Sequence, residues 1–319
     1  MIRTDQSANN TDASLPQNTQ EAPAACAYIA GSGRSGSTFL GLQLERSPDI
    51  CFAGELTYLW ERGLQQNQLC GCGQPFRECE FWQAVLQEAF GRLSPSDVAE
   101  AVRLRKRISV LTGLMPLRIG RNHVDSNSAE MYAQKYDALV TAIRKVSGCQ
   151  VVVDSSKYPT DLAALIRGGI ALCTIQLVRD CRAVVYSWRR KKQRTEIHWR
   201  RQLMPRYGAL QTALAWKHFN SAVHDLAAAD DKRYRLLRYE DIMSDFATEL
   251  SGLTEWLRCR SAHGAAAVST GHSVSGNPCR FEFDPGRIRP DLEWQTHISV
   301  IDRCIVAALC GRQQKMYGY

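Results

Sequence analysis

The segment ACAYIAGSGRSGSTFL, residues 25–40, constrains this chain more than any other stretch. A short apolar run, ACAYIA (25–30), reads as a buried strand; the glycine-rich turn GSGRSGST (31–38) follows, and a helix opens over roughly 36–46. A strand that breaks on glycines and restarts as a helix aims several backbone N–H groups at one point, the arrangement that cradles phosphate oxygens. Gly31 and Gly36 have the spacing of a nucleotide-binding phosphate loop, but Ser37 stands where such a loop carries the lysine that reaches the terminal phosphate. What remains is Gly33, Gly36, the amides of the helix start and the hydroxyls of Ser35, Ser37 and Thr38, with the positive charge moved upstream to Arg34. Two readings are open here: an anion site served by arginine, or a turn that only joins strand to helix.

The pattern repeats along the chain. CQVVVD (149–154) reads as a second strand, followed by SSKYP and an apolar helix. ALCTIQLV (171–178) reads as a third, with CRAVVYSWRRKK as its helix, and YRLLRYEDI (234–242) as a fourth. Apolar strands alternating with helices imply an α/β fold, a parallel sheet of the P-loop NTPase-like kind with helices on both faces. Such sheets bind ligands beyond the carboxyl ends of their strands, where Arg34, Asp154, Lys157 and Arg179 fall. Between the first two of these strands, residues 57–147 read as a mostly helical insertion: FWQAVLQEAF (81–90), the stretch after SPSD (94–97) and AEMYAQKYDALVTAIRKV (129–146) all have helical spacing. Residues 1–24 are polar and read as a disordered lead-in to one domain over 25–319.

Charge narrows the ligand. A formal net charge of +8 favours an anion, yet zinc-finger spacing, an RNA-binding aromatic signature and a lysine-rich tail are all missing, so no nucleic-acid partner is expected. The most apolar later stretch, LAALIRGGIALCTIQLV (162–178), is broken by Arg167 and Gly168-Gly169 and reads as helix, turn and strand, not as a membrane span. With no secretory or anchoring segment legible, a cytoplasmic protein is expected, its twelve cysteines mostly core thiols. Oligomeric state is not legible.

A second motif gives the loop its meaning. LVRDCRAVVYSWRRKK (177–192) places Arg179 at a strand end and Ser187 eight residues later in the helix. Together with the loop at 31–38, this pair resembles the two cofactor motifs of the sulfotransferases that use 3′-phosphoadenosine-5′-phosphosulfate (PAPS), and the order of elements agrees over most of 25–290. The resemblance implies that Gly33, Arg34, Ser35, Gly36, Ser37 and Thr38 hold the 5′-phosphosulfate and that Arg179 and Ser187 hold the 3′-phosphate. It is greatest with the bacterial, glycan and tyrosyl-protein branches, whose loop reads R-S-G-[ST]-[ST]; the K-G-x-x-G-D-W tail of the aryl and steroid branch is missing. GHSVSGNPCRF (271–281) is similar to a C-terminal G-N-P-x-R-F loop of bacterial members, which implies that Gly276 and Arg280 close over the cofactor; a solvated loop arginine is the plainer reading. Cys181 departs from the Pro or Gly that relatives carry after Arg-Asp, at a position that carries no anion ligand.

Sulfuryl transfer is an in-line displacement with a loose transition state, like phosphoryl transfer, and asks the protein for positioning, cations and removal of the acceptor's proton. No metal is required by the weakly charged sulfuryl group. The resemblance implies Glu55 in FAGELTYLW as the base, and burial beside Phe52 and Leu56 would raise its pKa toward a useful range; the plainer role is a helix cap. His198 and His272 are next in line. Lys157 in VVVDSSKYP is implied to stabilise the leaving oxygen, whereas Asp154 in the same stretch could be a metal-binding aspartate of a nucleotide kinase. The expected activity is transfer from PAPS to a hydroxyl or amine of a small-molecule acceptor. A glycan or peptide acceptor, a P-loop nucleotide kinase and a non-catalytic module binding adenosine 3′,5′-bisphosphate (PAP) are the alternatives.

Three signals stay open. Cys70, Cys72 and Cys79 in CGCGQPFRECEFW have the C-x-C-x6-C spacing of three zinc thiolates but no fourth ligand nearby; a local disulfide or a reduced packed turn would also fit, and similar segments occur in bacterial sulfotransferases. RRKKQRTEIHWRRQLMPR (189–206) carries eight Lys or Arg against one Glu and either lines an entrance or is a solvated face. RLRKR (103–107) reads as a solvated helix face, and Trp188, Trp199 and Trp216 as core or as acceptor-stacking groups.

Overall fold

The computed structural model describes residues 24–109, 125–261, 271–284, 286 and 288–319. The lead-in, apart from residue 24, and the middle of the insertion, 110–124, therefore lie outside the described residues. Five parallel strands form one sheet: β1 (Cys26–Ala30), β2 (Ile50–Gly54), β3 (Val151–Lys157), β4 (Cys173–Val178) and β5 (Tyr234–Arg238), in spatial order β2-β3-β1-β4-β5. This is the expected α/β architecture, with helices on both faces.

Alternation along each strand separates the two faces. Cys26, Tyr28 and Ala30 of β1 and Cys51 and Ala53 of β2 enter one apolar cluster; Ala27, Ile29, Ile50 and Phe52 enter the other. The first cluster is closed by α4 (Ser126–Ser147) and α5 (Pro159–Arg167), through Tyr136, Leu139, Ile143, Leu162 and Leu165, and by α7 (Ala209–Ala227). The second is closed by α1 (Ser37–Leu44), through Leu40, Leu42 and Leu44, together with α8 (Tyr239–Ser244) and α9 (Phe246–Trp256). Full burial of each such aliphatic side chain contributes about 1.5–3 kcal/mol, so it is these faces, and not helix propensity, that hold the sheet.

Four differences from the sequence reading matter for the site. β2 was not expected: ICFAG is too short to show a period, and an apolar run of five suits strand or buried helix equally. β3 continues three residues past Asp154, so Asp154 lies inside the strand and Lys157 ends it. β5 stops at Arg238, and YEDI belongs to α8. The insertion supplies α2 (Glu80–Phe90) and α3 (Pro95–Ser109) besides α4, as expected, but LTYLWERG forms a 3-10 turn, Leu56–Tyr58, that runs into a π-helix, Leu59–Gln65. Widened turns of this kind occur often at functional sites. The rest of the chain gives α6 (Cys181–Arg189), α10 (Trp294–His297) and α11 (Val300–Met316). No helix among the described residues is long and apolar enough to cross a membrane.

Candidate functional site

β1 ends in the glycine loop, and the loop takes its shape from three residues of positive φ, the first of them Gly31 at 132°. Arg34 has φ 69° and Gly36 φ 97°. A side chain at Gly36 would meet the Tyr239 ring at 2.6 Å, so the backbone there must be glycine on both conformational and steric grounds. Gly36 caps α1, leaving the amides of Ser37 and Thr38 at the helix's positive end. Gly31 N–H donates to the carbonyl of Lys157 at 3.2 Å, which ties the loop to the end of β3.

A cavity of about 400 Å³ opens at these strand ends. Of the expected site residues, Gly33, Arg34, Gly36, Ser37, Thr38, Glu55, Lys157 and Gly276 line it together. Glu55 follows β2 directly and is buried; its Oε1 accepts from Lys157 Nζ at 2.5 Å and its Oε2 from Ser275 Oγ at 3.4 Å. Lys157 also donates to the carbonyl of Ser155 at 2.7 Å and sits at φ 73°. A left-handed lysine costs on the order of 1–3 kcal/mol, and such strain is concentrated at sites that use it. The expected direction of the Glu55 shift is reversed. Burial pushes its carboxyl up, but the Lys157 ammonium, with Arg62 and Arg280, outweighs burial and holds it below its ordinary value of 4.5.

Arg179 and Arg280 are buried, Arg34 is half-buried, and all three are incompletely satisfied. Arg34 stacks on Trp188, 4.6 Å from the ring centroid, and one terminal nitrogen donates to Met204 Sδ at 3.0 Å, while its buried Nε has no partner. Burial lowers its pKa. Ser35 Oγ is likewise buried without a partner. Arg280, buried and pushed down by burial, uses Nη2 on the carbonyl of Leu69 at 2.9 Å and leaves Nε and Nη1 unpartnered. Arg179 reaches the carbonyl of Arg34 at 3.4 Å, and its Nη2 meets the carbonyl of Asp291 at 3.1 Å and that residue's carboxylate at 3.3 Å; its Nε is buried and unpartnered. Unmade buried donors each cost about 1–3 kcal/mol, and here they belong to guanidinium and hydroxyl groups, which can donate to an oxyanion. Arg179, Ser35 and Arg280 border the cavity's loop without lining the cavity, and Ser187 is buried on α6 apart from it.

The C-terminal loop does meet the glycine loop. Val274 exchanges hydrogen bonds with the end of β2, its N–H donating to Ala53 O at 2.8 Å and its carbonyl accepting from Glu55 N–H at 2.7 Å. Asn277 N–H then donates to Thr38 Oγ1 at 3.2 Å, beside Gly276.

Several lining groups went unread in the sequence. Tyr58 and Tyr158 share a 2.5 Å hydroxyl contact, and Arg62 lies 3.4 Å over the Tyr58 ring while donating to Ser275 Oγ at 2.7 Å. Tyr158 adjoins Lys157 and Tyr58 lies one turn past Glu55, so neighbourhood alone could have flagged both. Phe219 and Met204 complete an aromatic and aliphatic wall with Trp188 and Trp216, two of the tryptophans singled out in the sequence, of which Trp216 is fully buried. The basic stretch divides. Met204 N–H bonds Lys192 O and Arg194 N–H bonds Gln202 O, a hairpin that brings Arg194 and Met204 to the cavity, whereas Arg189 and Arg190 pair with Asp302 and Glu293. Trp199 is exposed. Arg105 is not solvated: it donates to Thr57 Oγ1 at 2.7 Å, pairs with buried Asp161 and lies over Tyr158.

Asp154 and the two histidines take other places. The Asp154 carboxyl is fully buried and accepts from Leu56 N–H, Ser156 N–H, Ser156 Oγ and Tyr136 OH at 2.5–3.2 Å. Burial outweighs these donors and pushes its pKa up to about 6. Oδ1 accepts from Leu56 and Ser156 and Oδ2 from Tyr136, and the carboxyl is fully buried and does not line the cavity, so it is not placed to hold a metal there. Asp154→Ala would strand four buried donors and is expected to lower the unfolding free energy by at least about 3 kcal/mol, read as a lower denaturant midpoint at unchanged slope. His198 contacts Asn67 O at 3.2 Å on the surface, and His272 lies among cysteines; neither lines the cavity, so neither is placed to serve as the base.

No protein-family model and no curated protein matches this chain. Among solved structures, the sulfotransferase domain of the Synechococcus PCC 7002 olefin synthase aligns at 18% identity over 92% of this chain and 97% of that one, with a TM-score of 0.48. A sulfotransferase domain from the curacin biosynthetic pathway aligns at 16% identity over 91% and 98%, with a TM-score of 0.46.

Proposed function

We propose that the chain is a PAPS-dependent sulfotransferase acting on a hydroxyl or amine of a small molecule with apolar bulk. The observation that carries this reading is the meeting, in one cavity, of a lysine-free phosphate loop with the Glu55–Lys157 pair. The unpartnered nitrogens of Arg34, Arg179 and Arg280 and the hydroxyl of Ser35 fit a donor with phosphate at both ends of one adenosine. The α1 amides with Arg34 and Thr38 would hold the 5′ side, and Arg179 with Ser187 the 3′-phosphate, in competition with the Asp291 carboxylate. The donor, when bound, supplies the sulfuryl group and a phosphate leaving group.

The chain's own residues do the rest. Glu55 is ionised and takes the acceptor's proton. Lys157, which rests on Glu55, would supply the cation that neutralises the charge developing on the donor's leaving oxygen. Engaging that oxygen would weaken the cation's hold on Glu55, so the carboxylate would become a stronger base as the leaving oxygen departs. Trp188 holds Arg34 in place by stacking. The aromatic wall excludes water and suits an acceptor with a ring or aliphatic body better than a polar glycan. A kinase reading loses its support with Asp154, since Glu55, paired to lysine, is the one carboxylate lining the cavity among the described residues.

Calorimetry with adenosine 3′,5′-bisphosphate and with ATP-Mg, side by side, tests donor class. Binding of the bisphosphate without need of metal is expected; a chain that ignores it and grips the triphosphate overturns the proposal. PAPS labelled on sulfur, offered with a metabolite extract, then identifies the acceptor by what becomes labelled.

A further inference from the structure

The fold brings a fourth ligand to the three clustered cysteines. Cys70, Cys72 and Cys79 lie on a turn and at the start of α2, and His272, far away in sequence, meets them from the C-terminal loop. The three Sγ atoms and one imidazole nitrogen all lie within 4.8 Å of one another. Cys72 Sγ is 3.8 Å from Cys79 Sγ, and His272 Nδ1 is 3.3 Å from Cys79 Sγ and 4.0 Å from Cys70 Sγ. A tetrahedral zinc with Zn–S of about 2.3 Å and Zn–N of about 2.0 Å has ligand–ligand edges of roughly 3.5–3.8 Å, so small side-chain adjustments close the shell.

The surroundings are those of a built site. The His272 ring stacks on Phe81 with centroids 4.7 Å apart and planes at 9°, which fixes its rotation, and Trp82 Nε1 donates to the His272 carbonyl at 2.9 Å. Cys79 caps α2, where the helix dipole favours a thiolate. The two segments are in direct contact: Gly71 N–H bonds Ser273 O at 3.0 Å, and a Cβ on Gly71 would lie 1.9 Å from the carbonyl of Gly271. Cys72 is exposed, which leaves a path for the ion. A disulfide would use two of the thiols and leave the third and the imidazole without a role.

We propose that Cys70, Cys72, Cys79 and His272 bind one structural zinc ion that clamps the C-terminal loop to the insertion. Three thiolates and one neutral imidazole select zinc over harder cations. Coordination through Nδ1 leaves the proton on Nε2. Four protein ligands close the shell, so this ion takes no part in transfer. It acts on position: His272 lies two residues before Val274, whose carbonyl holds Glu55 N–H, and the same loop delivers Ser275 to Glu55 and Asn277 to Thr38. The ion thereby sets the register between the base and the anion loop.

Protein purified without chelator is expected to carry one zinc per chain by elemental analysis. After removal of that zinc, cobalt(II) should restore the visible spectrum of a tetrahedral thiolate site in the wild-type chain. Cys72→Ser, at the exposed ligand, should fold and should lose at least the roughly 10–100-fold in metal affinity that outer-shell partners are worth. The melting temperature should fall on chelation and return with zinc. Full-length protein that holds no zinc as purified and gives no tetrahedral cobalt spectrum overturns the proposal, as does a Cys72–Cys79 disulfide found by mass spectrometry or zinc bound equally well by Cys72→Ser. These readouts are independent of any transfer activity.

Discussion

Glu55→Gln is expected to lower turnover by roughly 10²–10⁴-fold, the usual worth of a positioned general base, while adenosine 3′,5′-bisphosphate still binds. The side chain keeps its shape and can still accept from Ser275, so the loop–strand contact survives; what it loses is the capacity to take a proton. Lys157 keeps the carbonyl of Ser155 as an acceptor, which moderates the cost of leaving a buried ammonium beside a neutral group. Steady-state rates with sulfur-labelled donor measure the loss, and calorimetry with the bisphosphate checks that the anion site is intact. A variant that turns over at near the wild-type rate would remove Glu55 from the mechanism. A variant that loses bisphosphate binding as well would make the residue an architectural support of the loop.

Much of this site could be read before any fold was known, and the reasons are local. The glycine loop declares itself because strand, turn and helix start are consecutive and the backbone makes the site. β1, β3 and β4 are legible because a strand covered on both faces is apolar without interruption. β2 fails that test: at five residues, ICFAG has no period to read, so the element that positions Glu55 was invisible although Glu55 itself was not. Asp154 misled for a related reason. A carboxylate after a run of valines looks like a strand terminus, and only the sheet register shows three more residues before the edge. Its four donors come from three separate segments, a convergence that no local pattern encodes.

Long-range partners were the least legible. His272 is remote in sequence from Cys70, and a lone histidine in a loop carries no signal of its own. Arg105 sits in a charged run whose helical spacing points to solvent, yet Asp161, Thr57 and two tyrosines surround it. The sign of the Glu55 shift failed in the same way. Burial was foreseeable from Phe52 and Leu56, but the ammonium that overrides it arrives from β3 and the guanidinium of Arg62 from a π-helix, a rare form that the sequence does not announce.

That reversal carries the second large effect. Lys157→Ala is expected to slow transfer by roughly 10²–10³-fold, as loss of one electrostatic stabiliser of a developing oxyanion does, with a much smaller change in affinity for the bisphosphate. The charge that Lys157 meets grows only as the leaving oxygen departs, so its contribution belongs to the rate. The variant also shifts the pH dependence, and the direction follows from the carboxyl. In the wild type, Lys157 holds Glu55 below 4.5, so the acid limb of kcat/KM, which reports the free enzyme, should lie below the ordinary carboxylate range. Without the ammonium, burial is opposed only by Arg62, Arg280 and weaker contacts, the Glu55 pKa rises, and the acid limb should move to higher pH. Lys157→Ala keeps the left-handed backbone strained, so Lys157→Gly, which relieves it, serves as the control for folding. If both variants bind the bisphosphate poorly and retain the wild-type rate at saturating donor, Lys157 is an anchor for the donor and has no part in bond breaking. If the acid limb stays where it was while the rate falls, the proton acceptor is a group that does not touch Lys157, and the Glu55–Lys157 pair loses its place in the mechanism.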